Sequence, residues 1–255
     1  MKIKIHPIPA FSDNYIWTLQ NQSHAVVVDP GDATAVTSYL NNHNLNLAAI
    51  LITHHHYDHV DGLVELQTQW DCPVFAPKDE RIPGNLTVVS DKASVKIEQL
   101  KLKFKVLFTP GHTLTHICYL NKDMLFCGDT LFSLGCGRMF EGTAEQFSSS
   151  LNQLKQLNDD TKVYCTHEYT ESNWRFAQEV NPKNQKLNTF KTLLDEKRKQ
   201  GLPSLPSTMA VEKSLNPFLN CSDPTIVSAV SGHFNQQPNT ASETFALLRH
   251  WKDNF

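Results

Sequence analysis

The sequence predicts an α/β protein, with sheets covered by helices over residues 1–169 and a small helical domain over residues 170–255. Three observations carry this expectation: short apolar runs that each end in a turn signal, helical periodicity between those runs, and a change of character near residue 170. The runs are Ala25–Val28 closing in Asp-Pro-Gly, Leu47–Ile52 in Thr-His, Lys103–Phe108 in Thr-Pro-Gly-His, Met124–Cys127 in Gly-Asp and Lys162–Cys165 in Thr-His. Four to six residues rich in Val, Ile, Phe and Tyr, closed by Gly or Pro, read as strands. Val60, Leu63, Val64 and Trp70 recur at helical spacing, as do Phe147, Leu151, Leu154 and Leu157. Strands and helices in succession imply layered sheets and helices.

In the tail the balance shifts from 13 basic against 18 acidic residues (1–169) to 10 against 8 (170–255). Leu187, Phe190, Leu193 and Leu194 form a helical stripe that stops at Gly201, a residue suited to the position just past a helix end. The loop GLPSLPS follows. Asp223 and Pro224 then supply an N-cap and a proline at the first helical position. Thr240-Ala-Ser-Glu243 fits a capping box ahead of Phe245–Trp251.

Composition excludes several classes. The 255 residues carry a net charge of −3, and the pI of about 6.4 argues against a nucleic-acid binder, which needs a basic surface. The longest apolar run, Leu47–Ile52, is far short of the ~20 residues that span a membrane. The N-terminus (MKIKIHPIPAFSDN) has no apolar core of a secretory signal. Six cysteines (Cys72, Cys118, Cys127, Cys136, Cys165, Cys221) have no CxxC pairing and read as reduced core residues of a cytoplasmic protein.

Histidine is out of place. Of 12, seven (His54, His55, His56, His59, His112, His116, His167) lie between residues 54 and 167. The run Thr53-His54-His55-His56-Tyr57-Asp58-His59 ends a buried strand. In extended chain His54 and His56 point the same way, and where the chain turns into the next helix Asp58 and His59 can aim at a second point. Imidazole and carboxylate suit zinc, iron or manganese.

This run resembles the HxHxDH motif of the metallo-β-lactamase superfamily. His112 after Thr109-Pro110-Gly111, Asp129 in Phe126-Cys127-Gly128-Asp129-Thr130 and His167 in Cys165-Thr166-His167-Glu168-Tyr169 continue that pattern in order. The resemblance implies a four-layer αββα sandwich with a C-terminal α-helical domain. It implies one metal held by His54, His56 and His112, and another by Asp58, His59 and His167, with Asp129 bridging. Ile8–Trp17, Gly135-Cys136-Gly137-Arg138, Glu141-Gly142-Thr143, His167–Thr170 and the closing Arg249-x-x-Lys252-Asp253-x-Phe255 are similar to glyoxalase II, the hydroxyacylglutathione hydrolase family. That similarity, from about residue 6 to the last, implies hydrolysis of S-D-lactoylglutathione to D-lactate and glutathione, the second step of methylglyoxal detoxification. It also implies that Arg138, Tyr169, Arg249 and Lys252 contact the glutathione part.

The chemistry agrees. Two divalent cations with Asp58 and Asp129 leave a positive centre, where a bridging water loses a proton near neutrality and becomes the nucleophile. One metal can polarise the thioester carbonyl. The leaving thiolate, with a thiol pKa near ~8.5, departs without a general acid. Zinc is the expected metal, with iron or manganese as alternatives, and the chain is expected to act as a monomer on a small molecule, without nucleic-acid or membrane partners.

Two positions depart from the family pattern. Phe140 stands where a tyrosine is frequent, and Asp61-Gly62 stands where two glycines are frequent, with Asp61 expected to cap a helix start. Arg138 replaces the lysine of some members and keeps the charge. His55 and His116 read as packed or hydrogen-bonded rather than ligating, Cys127 and Cys136 as core. Asp29 reads either as a carboxylate that orients a ligand histidine or as a loop cap. The rival reading is a mononuclear-iron glutathione persulfide dioxygenase of the same superfamily, which shares the early motif but usually lacks a tail ending in Arg-x-x-Lys-Asp.

Overall fold

The computed structural model describes residues 3–255, which fall into two compact units: the chain up to Phe108 with Thr115–Gly128, and Thr109–Leu114 with Asp129–Phe255.

In the first unit β1 (Lys4–Ala10), β2 (Asn14–Gln20), β3 (His24–Val28), β4 (Asn46–Leu51), β5 (Val74–Ala76) and β6 (Leu86–Val88) form one sheet in that order. β1, β2 and β3 pair antiparallel, whereas β3 to β6 pair parallel. Parallel neighbours need crossovers, supplied here by α1 (Ala33–Asn42) between β3 and β4, and by α2 (Tyr57–Val60) with α3 (Leu63–Trp70) between β4 and β5. Val27, Ile50 and Ile52 pack in one cluster with Val36, Leu40, Leu63 and Leu66 of these helices. Val26, Ala49 and Leu51 are equally buried. A strand buried on both faces carries no polar alternation, which is why β3 and β4 read as unbroken apolar runs. A meander of β7 (Ser94–Ile97), β8 (Leu102–Phe108), β9 (Ile117–Asn121) and β10 (Met124–Gly128) completes the unit. Buried Tyr119 of β9 ties it to the first sheet, its hydroxyl donating to the carbonyls of Ile52 (3.1 Å) and Phe75 (2.9 Å).

The stripe beginning at Val60 is not one helix. Gly62 interrupts it because its N–H donates to Pro30 O at 3.1 Å and a Cβ there would lie 2.4 Å from that oxygen. Val64 consequently stands 49 % exposed. Asp61 closes α2, its N–H bonding Tyr57 O, and makes no side-chain cap, so the expected capping role is corrected.

The second unit begins with a hairpin, β11 (Leu131–Phe132) and β12 (Gly135–Cys136), then α4 (Ala144–Lys155), β13 (Lys162–Cys165), α5 (Thr170–Val180), α6 (Gln185–Lys199), β14 (Ser207–Thr208), α7 (Met209–Leu215), α8 (Pro224–Phe234) and α9 (Ala241–Asp253). Local signals explain the ends. α4 opens with a capping box, Thr143 and Gln146 bonding reciprocally. α6 stops at Gly201 (φ 70°), with Leu202 N–H reaching back to Lys197 O at 3.0 Å. Asp223 caps α8 with Pro224 at its first position, and Thr240 accepts from Glu243 N. The Glu243 carboxylate reaches one residue further back than a capping box requires, to Asn239 N. Phe176, Phe218 and Phe245 of the helical tail interlock with Phe147 of α4 and Trp251 of α9. Leu193 lies outside this packing, 58 % exposed, unlike its stripe-mates Leu187 and Leu194.

Candidate active site

In the first unit the loop after β4 carries four candidate ligands, and a buried carboxylate after β3 organises them. Asp29, in the left-handed region at φ 52°, accepts from Thr53 N and Thr53 Oγ1, both at 2.7 Å. The Thr53 hydroxyl has thereby committed its proton and accepts from His54 Nδ1 at 3.0 Å. His59 Nδ1 faces Asp29 Oδ2 at 3.0 Å, a contact that favours a protonated Nδ1 over two opposed lone pairs. Both networks therefore leave the lone pair on Nε2. His54 Nε2 lies 3.0 Å from His56 Nδ1, comparable with the ~3.4 Å between two nitrogens on one tetrahedral zinc. His59 Nε2 lies 3.5 Å from Asp58 Oδ2. Buried Asn14 donates to the same Asp58 oxygen at 2.9 Å and fixes that carboxylate.

His55 points away. Its Nδ1 faces Asp79 Oδ2 at 3.5 Å. Hydrogen bonds from the Arg81 guanidinium and the Thr115 hydroxyl hold the Asp79 carboxyl well below the usual range. His116 is buried and stacks on the His54 ring at 4.7 Å. Asp29 holds the loop through Thr53 and also faces His59.

In the second unit His112 and His167 bring their Nε2 atoms to one oxygen, Asp129 Oδ2, at 3.5 and 3.4 Å. His112 Nδ1 donates to Arg138 O at 2.8 Å, which again places the lone pair on Nε2. Gly137 permits this close approach, since a Cβ would lie 2.0 Å from Asp129 O. Tyr169 stacks flat on His167 (4.7 Å, 3°), and Phe132 meets both rings edge-on. Exposed Phe140 sets its ring 5.3 Å from that of His112, an apolar contact where a phenol would offer a hydroxyl.

A cavity of about 450 Å³ is lined by His112, Asp129, Tyr169, Arg138, Arg249 and Lys252, among others. The three cations are not equivalent. Arg249 is buried, donates to Cys136 O (3.0 Å) and Gly137 O (3.5 Å), and pairs with Asp253 at 3.0 Å. Arg138 is largely exposed. Lys252 Nζ donates to Ser172 O at 3.2 Å and lies over Phe176 and Phe255, and burial lowers its pKa to about 8. Cys136 also lines the cavity, but burial pushes its thiol up to about 11, so it is no nucleophile near neutrality. Asn14 and Thr53 were present in the quoted motifs without a role. Only their burial beside Asp58 and Asp29 assigns one.

A family model described as the metallo-beta-lactamase superfamily matches residues 11–167, and one described as the hydroxyacylglutathione hydrolase C-terminus matches residues 168–255. The hydroxyacylglutathione hydrolase of Nitrosomonas eutropha is 46% identical over 253 residues, 99% of either chain. That of Shewanella halifaxensis is 48% identical over 257 residues, 99% of this chain and 100% of its own. This chain belongs to the hydroxyacylglutathione hydrolase family. Among solved structures, ETHE1 from Myxococcus xanthus is similar at a TM-score of 0.66 and 25% identity, covering 99% of this chain and 98% of that one. The BLEG-1 B3 metallo-beta-lactamase, at 0.62 and 22% over 86% of this chain and 100% of its own, shares the fold. The fold is thus that of a metallo-β-lactamase with a C-terminal helical domain. Hydroxyacylglutathione hydrolase membership and the histidine–aspartate donors together make this a divalent-metal-binding protein. Among the described residues no helix is long and apolar enough to cross a membrane.

Proposed function

We propose that this chain hydrolyses S-D-lactoylglutathione to D-lactate and glutathione, in the second step of methylglyoxal detoxification. The observation that carries the reading is one cavity holding candidate ligands, His112 and Asp129, together with the cations Arg138, Arg249 and Lys252. A metal-polarised thioester and an anionic tripeptide need those two features side by side. Relatives named for this activity match over nearly the whole chain and favour it over the persulfide dioxygenase reading.

In this reading His54, His56 and His112 hold one ion, and Asp58, His59 and His167 another, with Asp129 shared. Zinc is the first choice, and iron or manganese fit the same donors. The donor chemistry fits: the partners of the Nδ1 atoms of His54, His59 and His112 direct the lone pair of each ring to Nε2, the atom turned toward the other candidate ligands. When bound, such ions supply a Lewis acid and a water acidic enough to attack near neutrality. Asp58, held by Asn14, orients the attacking water. Tyr169 and Phe132 wall the reacting centre, and Lys252 and Arg138 take the glutathione carboxylates. Arg249 contributes charge and fixes the carbonyls of Cys136 and Gly137 beside the substrate. The thiolate leaves unassisted, as its acidity permits. Residues 1–169 form the catalytic domain and 170–255 the substrate-binding domain of a cytoplasmic monomer. Six buried free cysteines support a reducing compartment.

The test is metal analysis with an S-D-lactoylglutathione assay on wild type and the Arg249→Ala/Lys252→Ala variant. Two metals per chain and a raised KM in the variant are expected. An unchanged KM removes the tail from substrate binding, and full activity after exhaustive chelation removes the metal reading.

A further inference from the structure

Glu212 on α7 takes no part in the chemistry described. It is fully buried, and its carboxylate accepts from Leu134 N (2.8 Å), from Asn216 Nδ2 (2.9 Å) and from the Ser207 hydroxyl. The same Asn216 amide donates to Phe132 O (3.2 Å) and Gly135 O (2.9 Å). All three backbone groups belong to the β11–β12 hairpin, whose ladder has only the pairs Leu131↔Cys136 and Phe132↔Gly135. So short a hairpin does not hold itself together in water. Its tip residue Leu134 is also in the left-handed region, at φ 58°, a conformation a γ-branched side chain keeps only under outside constraint.

The hairpin matters because Phe132 and Cys136 line the cavity, and the carbonyls of Cys136 and Gly137 anchor Arg249. Asn173, another cavity residue, donates to Ser133 O at 3.0 Å and pins the remaining turn residue. We propose that Glu212, acting with Asn216, is a positioning residue for the substrate cavity: it fixes the Leu131–Cys136 hairpin so that Phe132 and the Cys136–Arg138 stretch keep their place against Arg249. What fills the cavity rests on the function proposed above, but the brace itself does not. Burial raises the Glu212 pKa to about 7. A carboxylate kept in so unfavourable a place, on donors from the hairpin, fits a residue retained for geometry.

The experiment compares Glu212→Ala and Glu212→Gln in the metal-loaded full chain. It reads amide exchange at Leu134 and across Phe132–Arg138, metal content, and kcat and KM for S-D-lactoylglutathione. A hydrogen bond to a charged group is worth enough that its loss changes an equilibrium about 10-fold. Glu212→Ala should therefore exchange Leu134 about 10-fold faster and raise KM by a similar factor, with kcat and metal content near wild type. Glu212→Gln can still accept from Leu134 N and Asn216 while its amide donates to Ser207, so it should restore both readouts. Faster exchange with an unchanged KM, or a fall in kcat accompanied by metal loss, overturns the proposal. If Glu212→Ala does not fold, Asn216→Ala must give the same KM-selective pattern, and a wild-type KM there is equally fatal. If wild type cleaves no glutathione thioester, the functional reading falls by itself. Exchange across Phe132–Arg138 then decides the brace, unchanged rates overturning it.

Discussion

The first unit gathers its candidate ligands within six consecutive residues, whereas the second draws His112, Asp129 and His167 from three segments up to 55 positions apart. The contrast lies in what aims the side chains. In the His54–His59 loop the donors are adjacent in sequence, and two buried polar groups, Asp29 and Asn14, set their tautomers and rotamers. In the second unit backbone geometry does more of the work. Arg138 O orients His112, Gly137 lets the chain approach Asp129, and Tyr169 stacks on His167. A dense motif needs few supports, and a dispersed one needs the fold.

The contrast breaks most visibly at Asp129, the oxygen on which two imidazoles converge. Asp129→Ala should lower kcat/KM by roughly 10³-fold, the several kcal/mol that metal-ion stabilisation contributes, with reduced metal per chain by elemental analysis. Asp29→Asn should cost less, about 10–100-fold in metal affinity, read by chelator competition. Asparagine tolerates the left-handed backbone of position 29, so a loss there reports the carboxylate's contacts with Thr53 and His59 rather than backbone strain. If Asp29→Asn matches wild type, the first loop is aimed by its own chain rather than by that group.

Two further experiments sharpen the cationic end. Lys252 is charged below its pKa of about 8 and neutral above it. Anion binding through Lys252 is therefore fully present at lower pH and lost as pH rises through 8. Because kcat/KM reports free-enzyme pKa values, it should fall on that alkaline limb, and Lys252→Arg should move the fall above pH 9. Arg249→Lys should mainly lower stability, by about 1–3 kcal/mol in denaturant titration, since a lysine cannot satisfy Cys136 O, Gly137 O and Asp253 together. At the small end, Val64→Ser should change stability by no more than about 0.5 kcal/mol, as befits an exposed helix position.

Much of this molecule could be read in advance where the signal is local. The strand at Lys162–Cys165, the cap at Asp223 and the stop at Gly201 need only neighbouring residues and stand as expected. The run expected over Met124–Cys127 extends by one residue to Gly128, and Thr240 caps its helix without the reciprocal Glu243 bond of a capping box. The break at Gly62 was not legible, because it answers to Pro30, a residue from another loop. Nor was the dual nature of Arg249, whose guanidinium is committed to the carbonyls of Cys136 and Gly137, more than 100 positions away. Phe140 and Asp61 illustrate the same divide. Sequence marks them as departures, yet only packing shows one ring against His112 and the other residue merely ending α2.

Residue types and their spacing by themselves determined the chemistry on offer: imidazoles and carboxylates at strand ends, thiols kept in the core, cations one helical turn apart on the last helix. Tertiary structure decided which nitrogen holds the lone pair in His54, His59 and His112, which cation is committed to backbone carbonyls, and which buried carboxylate holds a cavity wall. Hydrogen-bond partners distant in sequence fix those choices, and periodicity carries no information about such partners.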